Sequence, residues 1–366
     1  MNDNNNIALF IGLLLEENHN RNFMRIERRR LRDQMNPFEM PDAQFMKMFR
    51  LKKQCTINLI NALQQFLPTK NANAIALPKK VLITLNFLAT GSFQNSVGSN
   101  TWLSASQPSV SRAVNEICST IAEYLLPTWV QFPTTEESIR LVKQGFFLKY
   151  GFRGVLGAVD GTHVEILAPP ENDINHPPYV YINRKGKHSI NVMLISDVDC
   201  RILAVNARFP GSVHDSAVWQ MSSIRNHLQL QHEAGHTNML LIGDSDYPLE
   251  PWLFTPIAIP RNIQEEIFNR KLSSLRNTIE RTNGILKGRF RCISRLRTVM
   301  YHPTQAAKII YSCCVLHNIC KAANMIDEDI EMRDENDVSD LVGGGNVDVS
   351  IHQRGIEARN HYIRNM

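Results

Sequence analysis

Nowhere does the sequence hold the roughly 20 consecutive apolar residues that a membrane-spanning helix requires. The one export-like stretch, Ile7 to Leu15, follows Asp3 without a basic residue and runs into Glu16-Glu17, so it reads as an N-terminal helix rather than a leader. Cysteine is sparse: seven residues, at 55, 118, 200, 292, 313, 314 and 320. An odd and scattered set offers no disulfide framework and fits a reducing compartment. These absences together give the expectation of a soluble intracellular chain with no membrane partner. Acid is also thin over most of the length. Asp and Glu number 35 against 40 Lys and Arg, and eight of the acids (Asp327, Glu328, Asp329, Glu331, Asp334, Glu335, Asp337 and Asp340) crowd one short stretch. The remaining body is therefore clearly basic, which suits a polyanionic partner.

What is present is an ordinary globular composition. The 366 residues are 43% hydrophobic and 20% charged, enough for one to three domains and against wholesale disorder. Residues 1–36 form a basic segment with Arg21, Arg25, Arg28, Arg29, Arg30 and Arg32. It reads either as a solvated helix face or as a nuclear-import or phosphate-contacting segment. Residues 37–135 read as a helical domain, with apolar residues at helical spacing in 57–66 and 81–88. Ser106-Gln107-Pro108 looks like a helix start. The helix that follows would bury Val110, Val114, Ile117, Ile121 and Leu125 and expose Ser109, Ser111, Arg112 and Asn115. Polar and basic residues at the start of a second short helix suggest a helix-turn-helix, with Ser109, Ser111 and Arg112 toward DNA. Many helical bundles share that pattern.

Residues 136–325 turn to strands. Val155–Val159, Ser189–Ser196, Ile202–Arg208 and Met239–Ile242 are short and rich in Val, Ile and Leu. The first three suggest an antiparallel meander. A crossover helix with Val218, Met221, Ile224 and Leu228 at helical spacing would lead to the fourth, giving a mixed α/β unit. Residues 326–366, acidic and then Gly343-Gly344-Gly345, read as a flexible tail.

Two of these strands share an oddity. The first ends in Val159-Asp160-Gly161 and the fourth in Ile242-Gly243-Asp244. If they lie parallel and adjacent, both acids emerge at one sheet edge, where their repulsion calls for a hard divalent cation. A third acid lies on a helix. Leu275, Ile279 and Leu286 fall at i, i+4 and i+11, and Arg276, Glu280 and Lys287 repeat that spacing one residue further round. Alone this is an amphipathic helix with an i, i+4 ion pair. With the two strand aspartates it becomes a D-D-E set for two-metal phosphoryl chemistry of the ribonuclease H-like kind. Arg276 and Lys287 would then meet the phosphates of the cut strand.

DGTH at 160–163, RFPGSVHDSAVW at 208–219, GDSDYPLEPWLFTP at 243–256 and RNTIERTNGILKGRFRCI at 276–293 resemble the ordered blocks of PIF/Harbinger-type transposases, which include Harbinger transposase-derived nucleases. The resemblance spans roughly residues 80–322. The Arg–Glu–Lys spacing also resembles that of bacterial insertion-sequence transposases, although their usual tyrosine would fall at Ser273. The resemblance implies a ribonuclease H-like mixed sheet flanked by helices, preceded by the helical domain. It implies Asp160 and Glu280 as the outer acids and a Mg²⁺ or Mn²⁺ cofactor. Asp244 is expected as the middle acid, with thirty-five residues between it and Glu280, and Asp215 as an additional ligand or a supporting group. Arg289 joins Arg276 and Lys287 as an expected nucleic-acid contact. Asp246 stands where the family has glycine, either disturbing the metal geometry or pointing to solvent. His163 and His214 are expected to be loop or supporting groups, because metal-bound water needs no imidazole. Cys313, Cys314, His317 and Cys320 lie within eight residues of one apparent helix, cannot converge on one ion, and are expected to pack in the core.

The leading expectation is a metal-dependent DNA endonuclease or transposase. The competing ones are a domesticated DNA-binding or protein-interaction module of the same fold, and a ribonuclease acting on RNA–DNA hybrids. The resemblance adds a separate Myb/SANT-like protein partner that helps the chain reach the nucleus; a homo-oligomer and a cytoplasmic pool are further expectations.

Overall fold

The structure, a computed structural model, describes residues 2–68, 74–325 and 348–366. The acidic stretch at 327–340 and the glycines at 343–345 lie outside the described residues. The chain divides into two compact units, Met1–Cys118 and Ser119–Met366.

The first unit is helical among its described residues: α1 (Asn2–Gln34), α2 (Asp42–Phe49), α3 (Lys53–Gln64), α4 (Leu77–Thr90), α5 (Gln94–Gly98) and α6 (Gln107–Thr120), the last reaching into the second unit. A helix apolar on every side must be surrounded. Val81 to Ala89 of α4 are all buried, and α2, α3 and α5 pack around them. Gly91, at φ 60°, ends α4 in the left-handed region and donates its N–H to the Phe87 carbonyl. The helix begun at Gln107 buries Val110, Val114 and Ile117 as the spacing predicts, and Arg112 and Asn115 are exposed. Ser109 and Ser111 are half-buried.

The second unit opens with a π-turn at Ile121–Leu125, then α7 (Leu126–Trp129) and α8 (Glu136–Tyr150). The strands are β1 (Val155–Glu165), β2 (Ser189–Ser196) and β3 (Ile202–Pro210), followed by α9 (Asp215–Gln220), α10 (Ser223–Glu233), β4 (Leu240–Ile242) and β5 (Leu253–Phe254). Two long helices, α11 (Ile263–Arg289) and α12 (Pro303–Ala322), and a final α13 (Val349–Arg364) complete it. The five strands form one mixed sheet in the order β3-β2-β1-β4-β5, antiparallel from β1 to β3 and parallel from β1 to β5. The meander and the parallel β1–β4 neighbourhood agree with the sequence reading. The crossover is two helices, and Met221 sits exposed at their junction rather than in the core. Leu156, Val159, Met193, Trp219 and Leu241 anchor a core on one side of the sheet.

β1 is packed by α8 and α11, and β3 by α12. Asn318 of α12 accepts from Ile202 N (2.9 Å) and donates to the Trp129 and Ile202 carbonyls (2.7 Å each), fixing the start of β3. Cys313, Cys314, His317 and Cys320 are fully buried on this helix. His317 Nε2 donates to the Cys200 carbonyl at 2.7 Å, so these residues belong to the core.

The expectation of a flexible tail to residue 366 does not hold for its last part. α13 begins with Asp348 capping Ser350 N and Ile351 N. Its Tyr362 ring stacks on Phe152 at 4.8 Å and meets Phe254 edge-on at 5.6 Å. Arg359 donates to the Thr255 carbonyl (2.9 Å). The helix thereby covers the short edge strand β5, which would otherwise present open backbone. Composition concealed this, because only Gly355 and Ile363 of α13 are buried.

Candidate active site

β1 does not end at Asp160, contrary to the sequence reading, but runs on to Glu165. What ends there is its neighbour. β4 pairs with β1 only from Val155 to Ala158, in parallel register with Ala158 opposite Ile242. Beyond Ile242 the chain turns away at Gly243, while β1 continues with β2 on its other side, Asp160 opposite Leu194. Asp160 lies two residues past Ala158, and Asp244 two past Ile242. The matched register therefore delivers both carboxylates to the same opening.

Asp215, the first residue of α9, reaches this opening across Gly161. A Cβ at Gly161 would lie 2.2–2.3 Å from the Asp215 carboxylate, so only glycine allows the approach. The amide of Asn191 on β2 donates to Asp215 Oδ1 (2.7 Å) and to the Val213 carbonyl (2.8 Å). Asp246 turns toward the site rather than away from it. Its N–H donates to Asp244 Oδ1 at 2.9 Å, and its half-buried carboxylate lies 4.0 Å from Arg184. Asp215, Asp246, Arg184 and Asn191 line a cleft of about 240 Å³.

α11 supplies the third side. Leu275, Ile279 and Leu286 are buried as their spacing predicts. Arg276 and Glu280 form an ion pair at 2.5 Å, with Glu280 exposed. One turn on, Asn283 donates to Asp160 Oδ2 at 2.8 Å. The stripe then enters the protein. Lys287 is 4% exposed, and its ammonium donates to Thr162 Oγ1 (2.6 Å) and the His163 carbonyl (3.2 Å). Arg289 is 3% exposed. Both were expected to contact nucleic acid, and burial removes them from that role. Lys287 instead ties α11 to β1 just beyond Asp160.

Burial and neighbouring acids together raise the carboxyls of the site. Burial first, then the charges of Asp244 and Asp215, raises the Asp160 carboxyl well above the ordinary carboxylate range, while Arg276 opposes the rise. Burial and Asp246 push Asp244 up to about 6, again against Arg276. Burial also raises Asp215, partly offset by its Asn191 hydrogen bond. Burial and then these acids raise the phenol of Tyr247 well above its usual value. Tyr247 Oη, Asn191 Oδ1 and Asn283 Oδ1 are buried with no hydrogen-bond partner. Repelling carboxylates beside orphaned oxygens fit an oxygen-ligated divalent metal, which Asp160, Asp215, Asp244 and Glu280 could hold.

Of the other expected residues, His163 lies on β1, with Nδ1 3.0 Å from Ser189 Oγ, and His214 precedes α9. Within the first unit, Arg112 and Ser109 line a cavity of about 530 Å³ together with Arg25, Arg29, Arg32 and Lys80. The N-terminal arginines and the start of α6 thus share one basic hollow, which Ser111 does not line. Asn191, Asn283 and Tyr247 were missed from sequence. For Asn283 a signal existed: it lies seven residues after Arg276 and three after Glu280, on the same helical side.

An α/β unit that gathers three aspartates at one sheet edge beside a helix glutamate has the parts of a DDE-type nuclease. Residues 159–318 match the DDE superfamily endonuclease family. The human protein named "Putative nuclease HARBI1" is 36% identical over 285 residues, covering 77% of this chain and 78% of that protein. Its Xenopus laevis counterpart is 33% identical over 253 residues, 69% and 70% of the two chains. The Arabidopsis thaliana "Protein ALP1-like" is 26% identical over 262 residues, 68% and 62%. No solved structure matches. The chain therefore belongs to the Harbinger transposase-derived nucleases of the DDE superfamily.

Proposed function

We propose that the chain is a divalent-metal-dependent DNA endonuclease with a ribonuclease H-like catalytic unit. The observation that carries this is the register-matched pair Asp160 and Asp244, joined by Asp215 over Gly161, with all three carboxyls raised by burial and by neighbouring acids. A sheet of three antiparallel strands continued by two short parallel ones supports the fold assignment. Mg²⁺ or Mn²⁺ bound there would activate water and neutralise the charge on the leaving oxygen of a phosphodiester. The protein's own groups do the positioning. Asn283 aims the Asp160 carboxylate, and Asn191 holds Asp215. Arg276, near enough to lower Asp160 and Asp244, meets the phosphate. Glu280, now paired with Arg276, would join the aspartates in holding the metal.

The basic hollow lined by Arg25, Arg29, Arg32, Lys80 and Arg112 favours double-stranded DNA as the substrate, held through phosphates beside the start of α6. The family resemblance supports nuclear residence and a Myb/SANT-like partner as parts of this reading. Calorimetric titration with Mn²⁺ tests the reading: saturable binding in the wild type and its loss in Asp160→Ala is the expected result. No binding at millimolar Mn²⁺ would instead favour a domesticated module that keeps the fold and no longer cuts.

A further inference from the structure

We propose that Asp173, His176 and His302 form a second metal centre, selective for Zn²⁺ or a similar nitrogen-preferring ion, that clips the β1–β2 connection to the start of α12. Asp173 and His176 share one turn and His302 comes from a distant part of the chain, yet one donor atom from each lies within 4.8 Å of the others. His302 Nε2 is 2.7 Å from Asp173 Oδ2, and His176 Nδ1 is 3.3 Å from the same oxygen. Around a tetrahedral zinc ion with bonds of about 2.0–2.2 Å, donors stand about 3.4 Å apart. The His176 spacing already matches, and the His302 contact has to open by about 0.7 Å.

The surroundings fit ligands rather than a casual ion pair. The second oxygen of Asp173, Oδ1, accepts the backbone N–H groups of Asn175 and His176 (3.1 Å each), which aims Oδ2 at the two imidazoles. With Nδ1 of His176 on the ion, its Nε2–H faces Thr304 Oγ1 at 3.4 Å. Metal-bound imidazoles characteristically donate their other N–H in this way. The two histidine rings meet edge-on, with centroids 4.4 Å apart. The backbone on both sides is fixed independently. Ile166 bridges Val299 in parallel, Leu167 N donates to Val299 O (3.0 Å), and Val299 N donates to Glu165 O (2.9 Å). That bridge brings residue 302 beside the 173–176 turn before any ion binds.

The donor set separates this centre from the acid site. Two imidazoles and one carboxylate suit Zn²⁺ or Co²⁺, whereas an all-oxygen set suits Mg²⁺. Three protein donors leave a fourth position open to water. The connection so clipped carries Asn183 and Arg184 into the cleft shared by Asp215 and Asp246. A loaded clip thus holds one wall of the catalytic cleft.

The test uses the full chain, stripped with chelator and titrated with Zn²⁺ by calorimetry and with Co²⁺ by visible absorption, in excess Mg²⁺. The expected result is one equivalent of Zn²⁺ and a tetrahedral Co²⁺ spectrum, both kept in Asp160→Asn. The His176→Ala/His302→Ala double variant should lose at least tenfold in affinity together with the Co²⁺ bands. Should the double variant not fold, as judged by circular dichroism, the exposed single change His302→Asn takes its place. Equal Zn²⁺ affinity in the histidine variants, absence of Zn²⁺ binding by the wild type, or loss of the site in Asp160→Asn would each overturn the proposal. Failure of the acid-site reading would show only in the Mn²⁺ titration.

Discussion

Asp244→Asn is expected to make the metal-free protein more stable while abolishing its activity. The Asp244 carboxyl is raised from 3.8 to about 6 by burial and by Asp246. The folded state therefore holds its proton more tightly than the unfolded chain does. Between about pH 4 and pH 6 the folded state binds more protons, so stability falls as pH rises, and above pH 6 the full cost is present. Roughly two pK units at about 1.36 kcal/mol each set that cost near 3 kcal/mol. With Asp244 only 9% exposed, solvent screening reduces it little. Asparagine keeps the shape and the acceptor for the Asp246 N–H but carries no charge. A net gain of about 2 kcal/mol corresponds to a Tm about 6 °C higher at pH 8 in chelator, at 2–4 °C per kcal/mol for a unit of this size. At pH 4 the two melting temperatures should converge, and Mg²⁺ should close the gap at pH 8 by stabilising only the wild type. Calorimetric melting across that pH range reads all three. An Asp244→Asn protein no more stable than wild type at pH 8, or a gap that persists at pH 4, would refute the electrostatic reasoning.

Other changes follow from the same geometry. Gly161→Ala drives a methyl group into the Asp215 carboxylate. It should cost about 1–3 kcal/mol in a melting experiment and weaken Mn²⁺ binding in calorimetry. Asn283→Ala removes the hydrogen bond that favours ionised Asp160. The carboxyl rises further, so the acidic limb of the pH–rate profile should move to higher pH with a 10–100-fold loss of rate. Lys287→Met leaves the Thr162 hydroxyl and His163 carbonyl without their donor. It should destabilise by about 1–3 kcal/mol with an unchanged salt dependence of DNA binding. Arg112→Ala should do the reverse, lowering the salt slope by about one at constant Tm.

The elements that set the acids in place were legible because their signals were local. Four short Val/Ile/Leu runs marked β1 to β4, and Leu275, Ile279 and Leu286 marked the buried side of α11. The extent of β1 was not legible, because Asp160-Gly161-Thr162-His163 reads as a strand end. It continues as strand because its partner there is β2, a long-range pairing that no local pattern records. Two-residue β5 is too short for periodicity. The burial of Lys287 was hidden for a related reason: helical spacing gives the side of α11 but not the depth at which that side enters the protein. Asn191 acts only through its tertiary hydrogen bond to Asp215, so it looked like an ordinary polar residue. The spacing of Asn283 from Arg276 and Glu280 put it on the right side of α11 without showing its bond to Asp160. Asp215 was left undecided between ligand and support, and the bearing of Gly161 on its approach emerges only in three dimensions.

The central claim is that Asp160, Asp244 and Glu280, with Asp215 beside them, serve metal-dependent cleavage of DNA. Its most direct test is cleavage of end-labelled duplex DNA carrying the element's terminal repeats, with Mg²⁺ or Mn²⁺, by wild type, Asp160→Ala and Glu280→Gln. Cutting by the wild type that chelator stops and that both variants lose, by at least about 10³-fold, is the outcome predicted. Cutting that survives in both variants would contradict the account.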